Sequence, residues 1–324
     1  MKIAILGAGA MGAMVGAFLK KGGGEVYFAD PYKEHMETVA RDGLYMEVEG
    51  REPETVRVDG ATTNAADIGV CEVVILLVKG MKTVSSIQEN MALIGEDTIV
   101  LTLQNGYGNV ELLQGLLPED NIGYGLLKSS ATLYAPGKIF GRDRFENSPA
   151  GAFFYPLNKQ TKKLPKYQEL VEIFARGDFI AQLEENIDAM VWNKIYNNAM
   201  VNCPCAIVQI APEDFANHEM GAEIFKHIGR EVCQVATAKG IPMDADEYWE
   251  HYGVTVKPGE PIVRHYTSAI HDVSRKNKTE VDFINGAIYR EGQKLGIPTP
   301  YNEMVWRMTR VLEDTYHLKY IPEK

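Results

Sequence analysis

Residues 1–12 read MKIAILGAGAMG and decide the fold of the N-terminal half of the chain. A short apolar run, Lys2 to Leu6, is followed by Gly7, Gly9 and Gly12 at G-x-G-x-x-G spacing. The run predicts a buried strand, and the apolar spacing after the glycines predicts a helix. Strand, glycine turn and helix in this order are the context that a dinucleotide-binding loop requires. The alternative is a glycine turn that only shapes the chain.

The glycine turn is predicted to hold the pyrophosphate of the dinucleotide. Gly7 permits the tight turn, Gly9 lets the backbone approach the phosphates, and Gly12 lets the helix pack closely on the strand. The N-terminus of the helix adds free N–H groups and the positive end of its dipole. The cofactor contacts predicted from this segment are Gly7, Ala8, Gly9, Ala10, Met11 and Gly12.

An acidic residue, Asp30, closes the next predicted strand, Glu25 to Ala29. A carboxylate there can accept hydrogen bonds from both hydroxyls of the adenosine ribose, whereas a 2′-phosphate would meet like charge. The sequence therefore favours NAD(H) over NADP(H), a preference that the nearby Lys33 softens. The alternative is that Asp30 is an ordinary turn residue before Pro31.

The composition is that of an ordinary soluble globular protein. The 324 residues suit two domains, and 45% hydrophobic with 24% charged residues is an ordinary balance. A net charge of −11 argues against nucleic acid and against anionic membrane surfaces as partners. The longest apolar run, Val73 to Val78, is far too short to span a membrane.

The four cysteines give no disulfide framework, and no targeting segment is predicted, because the N-terminus already reads as the first strand. Cys203-Pro204-Cys205 lacks a second ligand pair at zinc spacing, so no metal site is predicted. Together these features predict a cytoplasmic protein.

Predicted strands and helices alternate further along the chain, at Glu72–Val78, Thr83–Leu93, Thr98–Leu103 and Val110–Leu117. This alternation predicts a doubly wound α/β sheet of parallel strands. Lys79 and Asn105 directly follow two of these strands, and ligands bind such sheets beyond the carboxyl ends of the strands. Both residues are therefore predicted to contact the cofactor, although each could instead be a plain loop residue.

A boundary between two domains is predicted near residue 184. Residues 123–154 are predicted to form antiparallel strands that extend the sheet at one edge, with a helix and one strand after them. Beyond Glu184 the strand signals stop, and the chain to Tyr316 has almost entirely helical spacing. The prediction is a Rossmann-type dinucleotide-binding domain, residues 1–184, and a helical substrate and catalytic domain, residues 185–324.

The first helix of the second domain carries a polar stripe. Lys194, Asn198 and Asn202 recur at i, i+4 and i+8, which puts them along one face of a mostly apolar helix. Polar groups in such a place need hydrogen-bond partners, because each unpaired one costs ~1–3 kcal/mol of stability. The stripe fits a substrate pocket, a structural network between helices or a solvated face.

Taken together, the motifs resemble the ketopantoate reductase family over essentially the whole chain. They are GAGAMG, the lysine after a strand, QNG at 104–106, W-x-K-x-x-x-N-x-x-x-N at 192–202, Ser268, and KTEVDFING at 278–286. The family has a Rossmann domain and a helical domain, and it uses NAD(P)H to reduce a branched 2-oxo acid to an (R)-2-hydroxy acid. The resemblance implies an enzyme of this kind, acting as a homodimer.

The resemblance also implies roles for single residues. Lys194 would be the general acid that protonates the ketone oxygen, and Glu280 would hydrogen-bond the reacting hydroxyl and the cofactor. A positioned acid of this kind contributes ~10²–10⁴-fold to the rate. The substrate would be oriented by Asn105, Asn198, Asn202 and Ser268.

Ser268 and Glu280 are twelve residues apart, about 3.3 helical turns, so they point some 120° apart on a straight helix. Both can face one pocket only if the helix is interrupted. The polar run from Ser274 to Lys278 is the predicted interruption.

Three departures from the family pattern leave the identity of the substrate open. One is Pro212-Glu213-Asp214, near the place where the family often has another asparagine. Cys203-Pro204-Cys205 replaces Asn-Pro-Leu-Thr and predicts an altered pocket wall, and His271 stands where glutamine is usual. His271 could transfer a proton or make an ordinary hydrogen bond. With Asp30, these changes make an NAD-dependent D-2-hydroxyacid (D-mandelate-type) dehydrogenase the closest alternative.

The sequence argues against two further functional classes. A dinucleotide sensor without turnover would lack Lys194 or Glu280, and both are present. The TEVDFING motif argues against a hydroxyisobutyrate-type dehydrogenase.

Overall fold

The computed structural model describes residues 1–143, 150–254 and 264–318. Its contacts divide the chain into two compact units, Met1–Gln104 with Asn109–Ile187, and Asn105–Gly108 with Asp188–Lys324. The four-residue segment Asn105–Gly108 thus packs with the second unit, although it lies within the range predicted for the first. The second unit otherwise begins three residues after the predicted boundary.

The first unit is built on an eight-stranded sheet in the order β12-β11-β8-β7-β6-β1-β2-β5. Along this order, every neighbouring pair from β8 through β7, β6, β1 and β2 to β5 is parallel. Strand β11 is antiparallel to β8, and β12 is parallel to β11. This confirms the predicted Rossmann-type sheet. Its strands are β1 (Lys2–Leu6), β2 (Glu25–Ala29), β5 (Gly60–Thr62), β6 (Val73–Leu76), β7 (Ile99–Thr102), β8 (Ile122–Lys128), β11 (Gly151–Pro156) and β12 (Ala181–Leu183).

Five helices belong to the described part of this unit, and the sheet is buried on both faces. Ile3 and Ile5 of β1 belong to one core cluster, while Ala4 and Leu6 belong to another. Such two-sided burial explains why the central strands are continuous apolar runs. The helices are α1 (Ala10–Lys21), α2 (Lys33–Asp42), α3 (Thr83–Glu89), α4 (Asn109–Gln114) and α5 (Leu164–Arg176).

A second sheet of four strands, in the order β4-β3-β10-β9, packs over α1. Its strands are β3 (Leu44–Val48), β4 (Glu54–Val56), β9 (Ser130–Ala135) and β10 (Lys138–Arg142). The prediction that all strands of residues 123–154 extend the main sheet is therefore wrong for β9 and β10, and residues 144–149 lie outside the described part. Gly141 of β10 lies directly against Met14 of α1, so apolar contact with α1 holds these strands.

The described part of the second unit is helical. Its helices are α6 (Ile187–Val208), α7 (Pro212–Ala216), α8 (Glu219–Ala238), α9 (Ala245–Tyr252), α10 (Ser268–Ser274), α11 (Asn285–Leu295) and α12 (Pro300–Asp314). They share one core that includes Trp192, Tyr196 and Phe225. The helical prediction for residues 255–263 lies outside the described residues. No helix of the described chain is both long and apolar enough to cross a membrane.

Candidate active site

The glycine turn of the first unit excludes side chains at Gly7 and Gly12 but not at Gly9. Gly7 has φ +94°, and a Cβ there would lie 2.5 Å from the backbone nitrogen of Val78. A Cβ on Gly12 would collide with the carbonyl oxygen of Gly7. By contrast, the position of a Cβ on Gly9 is open space within 4 Å. Gly9 is the N-cap of α1 and makes no side-chain cap bond, and the first N–H groups of a helix form a favourable site for an anion.

Asp30 lies at the end of β2 and makes the hydrogen bonds of a turn. Its Oδ1 accepts from the backbone N–H of Tyr32 at 2.8 Å. Burial raises the pKa of the Asp30 carboxyl, while the Tyr32 N–H, the nearby His35 and the Ala8 N–H oppose this increase. Asp30 therefore does act as a turn residue. A carboxylate, however, has about four acceptor positions. The remaining positions leave capacity for ribose hydroxyls.

Lys79 follows β6, and the loop that carries it is held by Gln104. The Gln104 amide donates to the carbonyl of Val78 at 2.7 Å and to the hydroxyl of Thr83 at 2.9 Å. Its Oε1 accepts from Thr102 at 2.9 Å. Only 7% of Gln104 is exposed. Gln104 therefore positions the start of the Lys79 loop, a role that the quoted motif alone did not reveal.

Asn105 and Glu280, 175 residues apart, are joined in the second unit. The Asn105 Nδ2 donates to Glu280 Oε2 at 3.1 Å. Beside this bond, the backbone N–H of Tyr107 donates to the carbonyl of Phe283 at 2.7 Å. Gly106 has φ +89°, and a Cβ there would come within 2.7 Å of the Phe283 Cβ. The glycine is thus required for the QNG loop to lie against the turn that follows Glu280.

The segment that carries Glu280 is anchored from both sides. The backbone N–H and the hydroxyl of Thr279 both donate to Glu313 Oε1 at 2.7 Å. The Thr279 hydroxyl also lies 3.9 Å from the Cys203 sulfur on α6. Further along, the Asn285 amide donates to the carbonyl of Ala199 at 3.0 Å. These contacts hold the Glu280 segment between α6 and α12.

The polar stripe lies on one continuous helix, α6. Asn202 is buried with 7% exposure, whereas Lys194 and Asn198 are half-buried. Near its start, α6 also contacts the QNG loop, because the rings of Trp192 and Tyr107 lie 5.2 Å apart. The second unit therefore contains the polar stripe, Asn105 and Glu280.

The predicted interruption between Ser268 and Glu280 is confirmed. Helix α10 ends at Ser274, and Lys276 has φ +58°. The next helical turn begins only at Val281. Ser268 is exposed in the first turn of α10, and His271 is exposed on the same helix.

The cysteines that depart from the family pattern face the core. Cys203 and Cys205 are completely buried in the core of the second unit. Burial raises the pKa of each thiol to about 12, so both stay protonated. The two cysteines therefore change how α6 packs in the core of the second unit. In the described ranges, no group of three or more His, Cys, Asp or Glu side chains could hold a metal ion.

Comparison with known proteins identifies the family of the chain. The family described as "Ketopantoate reductase PanE/ApbA" matches residues 3–147, and its C-terminal counterpart matches residues 186–313. The chain belongs to the ketopantoate reductase family. It is an NAD(P)-dependent oxidoreductase.

Curated relatives in this family match along their whole length. The 2-dehydropantoate 2-reductase of Streptococcus pyogenes serotype M3 is 29% identical, over 98% of this chain and 100% of that protein. The enzyme of the same name from Pyrococcus horikoshii is 28% identical, over 97% of this chain and 98% of that protein.

Two solved structures share the fold over essentially the whole chain. D-mandelate dehydrogenase with NADH and anilino(oxo)acetate has a TM-score of 0.86 at 28% identity, over 98% of this chain and 100% of that one. A PanE/ApbA family ketopantoate reductase from Ralstonia eutropha JMP134 has a TM-score of 0.83 at 26% identity, with the same coverage.

Proposed function

We propose that the chain reduces a branched, ketopantoate-like 2-oxo acid to the (R)-2-hydroxy acid with NADH as the preferred cofactor. The observation that carries the proposal is the hydrogen bond between Asn105 and Glu280, which joins two motifs from distant parts of the sequence. The same unit holds Lys194, Asn198 and Asn202 on α6. Together they supply a proton donor, a carboxylate and several amides.

The proposed chemistry uses these side chains in distinct roles. When bound, the reduced nicotinamide would supply the hydride that the carbonyl carbon accepts. Lys194 gives a proton to the ketone oxygen as its double bond to carbon breaks, so that a hydroxyl forms. Glu280 accepts a hydrogen bond from that hydroxyl, and Asn105 holds Glu280 in place. Substrate orientation is assigned to Asn105, Asn198, Asn202 and Ser268.

The geometry of the first unit supports the proposed cofactor contacts. The pyrophosphate is assigned to the turn Gly7-Ala8-Gly9-Ala10-Met11-Gly12, where Gly9 leaves open space. Lys79 is assigned to the same cofactor. Asp30 is assigned to the ribose hydroxyls, which supports NAD(H) over NADP(H) because a 2′-phosphate would meet a carboxylate.

The second candidate is an NAD-dependent dehydrogenase of D-mandelate type. It is supported by the presence of NADH in the similar D-mandelate dehydrogenase structure and by Asp30 in this chain. Its substrates would be 2-oxo acids with bulky aliphatic or aromatic side chains.

The test is the oxidation of NADH, and separately of NADPH, with ketopantoate, 2-oxoisovalerate or phenylglyoxylate. A large preference for ketopantoate supports the first candidate, and a preference for phenylglyoxylate with NADH supports the second. Lys194→Ala should lower kcat by at least ~10²-fold with unchanged NADH binding.

A matched pair on α6 tests the polar stripe. Asn198→Ala should raise KM for the oxo acid. Asn197→Ala is the control, because Asn197 donates to Asn193 on the same helix.

Turnover near normal in Lys194→Ala would remove the lysine from the mechanism.

A homodimer in the cytoplasm completes the proposal. The family resemblance supports the dimer, which light scattering of the purified protein tests. The four free, buried cysteines fit a reducing compartment.

A further inference from the structure

A buried histidine, His35 on α2, holds the glycine turn of the first unit. It is completely buried, and its Nε2 lies 2.9 Å from the carbonyl oxygen of Ala8. Its Nδ1 accepts from the backbone N–H of Gly137 at 2.8 Å. Because the Gly137 N–H can only donate and the Ala8 carbonyl can only accept, the ring must be neutral with its proton on Nε2.

Ala8 is held on both sides. Its carbonyl accepts from His35, and its N–H lies close enough to the Asp30 carboxyl to lower the pKa of that group. Burial lowers the pKa of His35, although the Ala8 carbonyl and the nearby Asp30 oppose this, which agrees with a neutral ring. Ala8 therefore connects the residue assigned to the adenosine ribose with the turn assigned to the pyrophosphate.

The geometry of the peptide bond links the contact between His35 and Ala8 to the direction of the Gly9 N–H. In a trans peptide, the carbonyl of residue 8 and the N–H of residue 9 point in opposite directions. His35 holds the Ala8 carbonyl toward α2, so the Gly9 N–H points away from α2. Gly9 has open space where its side chain would be, which leaves room for a phosphate group to approach this N–H.

We propose that His35 is a positioning residue that aims the Gly9 N–H at the pyrophosphate of the dinucleotide. The inference rests on the proposed cofactor site. His35 would affect the affinity for the dinucleotide rather than the rate of hydride transfer, and it would do so without contacting cofactor or substrate.

Two substitutions separate the hydrogen bonds of His35. The asparagine amide stands about as far from Cβ as Nδ1, so His35→Asn can accept from Gly137 but cannot reach Ala8. The glutamine amide stands about as far as Nε2, so His35→Gln can still donate to Ala8. The measurements are the Kd for NADH by fluorescence titration, kcat at saturating NADH, and the unfolding midpoint.

We expect His35→Asn to weaken NADH binding by about tenfold, because the turn loses one buried hydrogen bond. His35→Gln should remain within about threefold of the wild type, and kcat at saturating NADH should be unchanged in both. A structural role alone would lower the unfolding midpoint without separating the two Kd values.

Three results would overturn the inference. They are equal NADH affinity in His35→Asn and wild type, equal losses in both variants, and a tenfold loss in folded His35→Gln. If the wild-type protein itself binds neither NADH nor NADPH, the proposed function fails instead.

Discussion

Replacing Gly106 by alanine should damage the candidate active site more than its fold. At φ +89° an alanine is strained, and its Cβ would collide with the Phe283 carbonyl and approach the Phe283 Cβ to 2.7 Å. The loop must then move away from the turn at 281–283. That movement threatens the Asn105–Glu280 hydrogen bond at 3.1 Å and the Tyr107–Phe283 bond at 2.7 Å.

The magnitude can be estimated from two contributions. A left-handed backbone costs an alanine ~1–2 kcal/mol. Forcing a methyl group into a packed contact costs a further ~1–3 kcal/mol. Gly108→Ala is a matched control, because Gly108 has φ +105° but nothing lies within 4 Å of a Cβ there. It should carry the backbone cost alone.

The assay compares kcat, KM and the urea unfolding midpoint for the two variants. Because a displacement of 1 Å near a reacting centre can cost ~10²-fold, Gly106→Ala should lower kcat by about that factor. Gly108→Ala should stay within about threefold of the wild type. Equal kcat values in the two variants would refute the argument that contact between the QNG loop and Phe283 positions Glu280.

Four other changes test separate parts of the molecule. Asp30→Asn removes the charge facing a 2′-phosphate and should lower the ratio of NADPH to NADH KM values by about tenfold; an unchanged ratio contradicts the assignment. Burial lowers the pKa of His35, so the unfolded chain takes up its proton first and wild-type stability should fall as the pH drops below ~6.5. His35→Gln should lack this loss, seen as a smaller stability difference from wild type at pH 5.5 than at pH 7.5. Gly12→Ala should abolish NADH binding in calorimetry, since its Cβ would collide with the turn, and tight binding would show that the turn adapts. Glu313→Ala should lower kcat through Thr279, whereas Glu313→Gln keeps an acceptor and should stay near wild type; identical kcat values in both would exclude this support.

Local patterns in the sequence were enough to predict the elements that carry the site. The glycine spacing, the apolar runs before Lys79 and Asn105, and the i, i+4, i+8 stripe on α6 depend on neighbours a few residues away. The interruption after Ser274 followed from the same helical geometry. In each case the period of the backbone relates sequence spacing to direction, so no tertiary information is needed.

Contacts between distant residues could not be predicted in this way. His35 bonds to Ala8 and Gly137, 27 and 102 residues away, and nothing in the sequence around it distinguishes it from a surface histidine of α2. The strands β9 and β10 are a second example. Their alternating pattern predicts strands, but it does not predict the sheet to which these strands belong. Burial against α1 decides that pairing.

The QNG motif shows how far one short sequence can be divided in function. The side chain of Gln104 makes its hydrogen bonds to Val78, Thr83 and Thr102 in the first unit, whereas that of Asn105 bonds to Glu280 in the second. Since the two amides serve different partners, their effects should separate. Losing the Gln104 amide frees the loop before Lys79 and should act on cofactor binding, while losing the Asn105 amide frees Glu280 and should act on turnover. Adjacent residues of one motif thus report on two different steps of the proposed reaction.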